Sequence, residues 1–66
     1  MKTKSKFICV TPQSDSAKDV FVNQMDKFHS CRIKDVRDEQ YYLESLNRDY
    51  YFWVNKKGDT NWRVES

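Results

Sequence analysis

Sixty-six residues carry 12 Lys and Arg against 10 Asp and Glu, and 38% of the chain is hydrophobic. A chain this short buries only roughly 60% of the surface its unfolded form exposes, so it has room for one domain with a thin stability margin. A net charge of +2 gives no single-sign field that would name a partner class, and the four Phe, four Tyr and two Trp exclude a disordered composition.

Lys2, Lys4 and Lys6 alternate with small polar residues, which suits a solvated basic lead-in over residues 1–6. Phe7, Ile8, Cys9 and Val10 then form a continuous apolar run stopped by Thr11 and Pro12. That pattern predicts a first strand, central in the sheet and buried on both faces. Ser16 followed by Asp19 approximates a capping box, so a helix is expected to begin there. Ala17, Phe21, Met25 and Phe28 recur at helical spacing and form its apolar stripe, closed by His29 and Ser30.

From Cys31 to Arg37 the chain is polar and weakly alternating, as expected of a charged edge strand. After Asp38-Glu39 come strand segments over 40–46, 49–55 and 59–64, punctuated by Asn47-Arg48 and Lys56-Lys57-Gly58. The fold class is therefore α+β: a single small domain over 1–66 in β-α-β-β-β order. One helix packs on a mainly antiparallel sheet of three to five strands.

Register decides which aromatic rings are buried, because a slip of one residue turns every side chain to the other face. A two-residue loop at Asn47-Arg48, with Asn47 taking the positive φ, sets Leu43 opposite Phe52 and Tyr41 opposite Val54 on one face. Tyr42 then faces Trp53, and Glu44 faces Tyr51, on the other. A three-residue loop with Gly58 left-handed would build a second hairpin, setting Phe52 against Trp62 and Tyr50 against Val64. The inner face becomes Tyr41, Leu43, Tyr50, Phe52, Val54, Trp62 and Val64, ready to meet the helix stripe.

Tyr42, Tyr51, Trp53 and Arg63 are left on the outer face, beside Glu44 and Asn61, with Arg63 expected across from Tyr51. Trp, Tyr and Arg are the residue types enriched at binding hot spots, so these four are the candidate partner-binding residues. The alternative is that the rings cover one another, or that the N-terminal segment lies over them. As a binding module the chain would contact another protein, or a second copy of itself as a homodimer. As a single-stranded nucleic-acid binder it would stack bases on the same rings and meet phosphates with Lys56, Lys57 and Arg63. The protein reading comes first, because nucleic-acid affinity rests largely on phosphate neutralisation and the charge here is nearly balanced.

Catalytic patterns are absent. His29 is the sole histidine and no orienting group or oxyanion hole accompanies it and Cys31. Cys9, His29 and Cys31 do not have the spacing of a structural zinc site, and a single glycine excludes a phosphate-binding glycine loop. No enzyme activity, cofactor or metal is expected. Without an apolar run long enough for a signal core or a membrane span, the expected location is cytoplasmic, with Cys9 and Cys31 as reduced thiols.

Overall fold

A computed structural model describes residues 6–65, so residues 1–5 of the lead-in lie outside the described residues. The elements are β1 (Phe7–Pro12), α1 (Asp15–Asn23), β2 (Ser30–Val36), β3 (Gln40–Ser45), β4 (Tyr51–Asn55) and β5 (Trp62–Glu65). All pairings are antiparallel, and the curled sheet has the order β4-β3-β2-β1-β5 with one helix packed against it. This is the α+β class expected from the sequence.

The helix begins two residues earlier than the expected cap. Ser14, not Ser16, is the N-cap: its Oγ accepts from the Ala17 N–H at 3.0 Å and donates to Asn61 Oδ1 at 2.8 Å. The serine that caps is the one whose hydroxyl also has a tertiary partner. The helix ends at Asn23, earlier than its apolar stripe suggests, because Asp26 (φ 51°) and Lys27 (φ 64°) turn the chain back. Ala17 and Met25 are buried and Val20 and Phe21 pack on the core, whereas Phe28, expected in the stripe, stays exposed.

β1 alternates rather than burying both faces: Ile8 and Val10 point inward, Phe7 and Cys9 outward. It is flanked by β2 and β5, and the central strand is β2. The charged composition of β2 misleads because only one of its faces is buried. An irregularity between Ile33 and Asp35 makes Lys34 an extra residue. Such a bulge resets parity, so Ile33 faces Leu43 and Val36 faces Tyr41 on the inner side.

The β3–β4 register is the expected one, with Tyr41↔Val54, Tyr42↔Trp53, Leu43↔Phe52 and Glu44↔Tyr51. The residue with positive φ in the turn is Arg48 (65°), however, and not Asn47. Asn47 serves as a hub instead: its Oδ1 accepts from Ser45 Oγ and the Asp49 N–H, while its Nδ2 donates to Gln24 O at 2.9 Å and to Asp26 Oδ2 at 3.3 Å. One amide thus ties the turn to the C-terminal end of the helix.

The second hairpin does not form. Gly58 does take positive φ (91°) and its N–H closes a turn on Asn55 O, but the chain does not return along β4. A second turn follows at once, in which Asp59 Oδ1 accepts from the Asn61 and Trp62 N–H groups. Gln13 anchors this turn through its N–H to Asn61 O and its side chain to Asp59 O, delivering β5 to β1, where Trp62 pairs with Pro12 and Val64 with Val10. Asp, Thr and Asn in sequence are turn residues, and they redirect the strand. Curling of the sheet still brings Trp62 and Phe52 to 5.0 Å between ring centroids, so the inner face contains every residue expected of it.

Candidate functional site

Pleating sends alternate side chains of each strand to the convex outer face. There the registers Phe7↔Arg32, Arg32↔Glu44 and Glu44↔Tyr51 align four residues in one row across four strands. A second row contains Asp35, Tyr42 and Trp53.

The rows are joined by direct contacts. Glu44 Oε1 accepts from Arg32 Nη1 and Glu44 Oε2 from the Tyr51 hydroxyl, both at 2.6 Å. The Arg32 guanidinium lies 5.2 Å from the Phe7 ring centroid. Tyr42 is 4.9 Å from Trp53 and 6.1 Å from Tyr51, and the Arg37 guanidinium covers the Trp53 ring at 4.8 Å. A continuous strip results, running from Arg37 through Trp53, Tyr42, Tyr51, Glu44 and Arg32 to Phe7.

Electrostatics fix its centre. Glu44 is only 5% exposed although it sits on the outer face, because its neighbours wall it in. The hydrogen bond from Tyr51, followed by that from Arg32, holds its carboxyl below the ordinary value of 4.5. Donating to that carboxylate raises the Tyr51 phenol above 10.0. Both carboxylate oxygens are thus used within the strip, which leaves the rings as its outward surface: Tyr51 is 45% and Trp53 37% exposed.

Of the four expected residues, Tyr42, Tyr51 and Trp53 come together and Arg63 does not. Its expected position across from Tyr51 depended on a β4–β5 hairpin. With β5 beside β1, three strands separate the two residues, and Arg63 lies opposite Thr11 in an exposed ion pair with Glu65 at 3.4 Å. Asn61 likewise leaves the outer face to accept from Ser14. Lys56 turns its ammonium over Tyr41, 5.4 Å from the centroid, on the inner side. With Lys57, Asp38, Glu39, Asn55 and Gly58 it lines a shallow hollow of about 340 Å³ whose charges are mixed.

Sequence reasoning missed Arg32, Arg37 and Phe7. The signal for Arg37 was the three-residue spacing of Ile33 and Val36, the only aliphatic residues between 32 and 42. The two can share one face only if an extra residue lies between them, and that extra residue turns Arg37 outward, whereas Arg32 is outward by plain alternation between Cys31 and Ile33.

His29 Nδ1 donates to Val10 O at 2.9 Å and its ring packs on Phe21 at 4.7 Å, so the imidazole clasps β1. Cys31 is buried inside while Cys9 is exposed outside, on opposite faces of adjacent strands, and both thiols are free. Burial, with a smaller effect from Cys9, pushes the Cys31 thiol up to about 12. Among the described residues no group of three or more His, Cys, Asp or Glu is placed to hold a metal, and no helix is long and apolar enough to cross a membrane. Comparisons with protein-family models, curated proteins and solved structures give no match.

Proposed function

We infer that this protein is a small non-enzymatic binding module whose outer strip docks another protein, with Trp53 and Tyr51 as anchors, Tyr42 between them and Arg32 and Arg37 as flanking donors. One observation carries the reading. Two large amphipathic rings remain over a third exposed while the charged group beside them is almost fully enclosed, so the rings are held in place by Glu44, Arg32 and Arg37. Rings that are already ordered lose little conformational freedom on binding, which is the economy that makes Tyr and Trp effective anchors.

The distribution of charge favours a protein over single-stranded nucleic acid. Arg32 is neutralised by Glu44 and Arg63 by Glu65, while Lys56 and Lys57 lie off the strip in a hollow that also contains Asp38 and Glu39. Few cations are left beside the rings to release counterions from a phosphate backbone.

Immobilised wild-type protein and a folded Trp53→Ala variant, each exposed to host lysate, test the reading. A protein retained by the wild type and lost with Trp53→Ala supports it. Equal retention by both contradicts it. A fluorescent single-stranded oligonucleotide bound at low salt, with a steep loss as salt rises, would move the reading to nucleic acid.

A further inference from the structure

The sheet has two edges, and they differ. β5 bears Arg63 and Glu65 on its outward positions, the kind of charge that blunts an edge against further pairing. β4 reads Tyr-Phe-Trp-Val-Asn, with no charge, no proline and an unbroken register against β3. Nothing in its sequence guards it.

Its unpaired backbone groups can be assigned. The bonds Ser45 N–H to Tyr50 O and Lys56 N–H to Glu39 O mark Tyr50 and Lys56 as residues turned toward β3. Alternation then turns Phe52 and Val54 the same way, and Tyr51, Trp53 and Asn55 outward to the free edge. Among the described residues, no loop or side chain bonds the backbone of Tyr51 or Trp53.

We propose that a second copy of this chain occupies that edge, β4 pairing antiparallel with β4 about a two-fold axis at Trp53. Charge selects this register. Centred on Trp53, the pairing sets Tyr51 opposite Asn55 of the second copy and brings Asp49, in the bend before β4, to the end where Lys57 of the second copy stands in the turn after β4, each twice by symmetry. Lys57 and Asp49 are both exposed, and neither has an ion-pair partner among the described residues. Centred on Phe52, the pairing would oppose Arg48 to Lys56, two cations. Centred on Tyr51, it would need the Asp49 N–H, a single donor already given to Ser45 Oγ, whereas the Trp53-centred pairing asks of the Asn55 carbonyl, which accepts from the Gly58 N–H, only its second lone pair.

The dimer sheet has ten strands, and its outer strips meet at the two Trp53 rings to form one surface. The pairing rests on the backbone of β4 and on charges outside the strip, while its axis sets the Trp53 rings of the two copies side by side.

Sedimentation velocity from low micromolar to near-millimolar protein tests it, with melts on every variant. The wild type is expected to dimerise reversibly. Lys57→Glu sets like charges face to face and is expected to raise the dimer Kd about tenfold, and adding Asp49→Lys is expected to restore it. Asn55→Pro removes an edge N–H without touching the ladder to β3 and is expected to abolish the dimer in a folded protein. A wild type that stays monomeric throughout, a Kd unmoved by Lys57→Glu, or a dimer intact in Asn55→Pro overturns the proposal. Lys57→Glu leaves the strip untouched, so partner capture by that variant separates failure of the dimer from failure of the binding face.

Discussion

Phe52 and Trp53 are consecutive on β4, and the pleat sends them to opposite faces, so truncating each in turn separates the core from the proposed binding surface. Phe52 stacks on Trp62 at 5.0 Å and Tyr50 at 5.4 Å and packs on the buried cluster of Leu43 and Val54. Full burial would make Phe→Ala cost about 3–5 kcal/mol; half-burial places Phe52→Ala at about 2–3 kcal/mol. In a domain this small each kcal/mol shifts Tm by about 4–8 °C, which gives a fall of roughly 10–20 °C. Trp53→Ala loses the contact with Tyr42, worth about 0.5–1.5 kcal/mol, and that with Arg37, about 0.5–1 kcal/mol. Its cost from these contacts is therefore about 1–2.5 kcal/mol. Thermal melts followed by circular dichroism at one protein concentration measure both. A loss at Trp53 equal to or larger than that at Phe52 would mean the outer rings are part of the packing, and the argument for a binding face would fail.

Three further outcomes follow from other contacts. Asn47→Ala cuts the tie between the β3–β4 turn and the helix end, leaving Gln24 O without that donor and the buried Ser45 hydroxyl without its acceptor; a loss of about 1–2 kcal/mol is expected in urea unfolding, and a neutral substitution would show the hub is incidental. Glu44 titrates below its unfolded value, so its contribution is complete above pH 4.5 and is lost as pH falls through the folded value; Tyr51 titrates above 10.0, so its contribution is lost as pH rises through the folded value. Melts across pH are expected to show the acid loss diminished in Glu44→Gln, and an identical acid profile would remove Glu44 from the account. Maleimide at neutral pH is expected to label exposed Cys9 and spare Cys31, whose thiol is raised to about 12, until the protein unfolds; native labelling of Cys31 would contradict its burial.

Much of the face assignment was legible because parity is robust. Once Leu43 faces Phe52, the placement of Tyr42, Tyr51 and Trp53 follows without knowledge of strand order. Topology was not legible for a physical reason: Gly58 makes the turn expected of it, but Asp59, Thr60 and Asn61 make another, and only their tie to Gln13 reveals that β5 belongs beside β1. Arg63 left the site through that error alone. Arg37 entered it through the bulge at Lys34, whose trace in the sequence is the spacing of two aliphatic residues. The helix stripe read well from Ala17 to Met25, and failed at Phe28 because the chain reverses through positive φ at two residues, Asp26 and Lys27, that carry no sequence mark such as glycine.

If binding resides in the strip anchored by Trp53, titration calorimetry of a purified captured protein against the wild type, Trp53→Ala and Arg63→Glu, all folded, will show it. Trp53→Ala is expected to weaken binding about thirtyfold or more, as truncation of a hot-spot anchor does, while Arg63→Glu, on the far edge strand, leaves the affinity of the wild type unchanged. Wild-type affinity in Trp53→Ala, or a loss with Arg63→Glu as large as that expected for Trp53→Ala, would contradict the account.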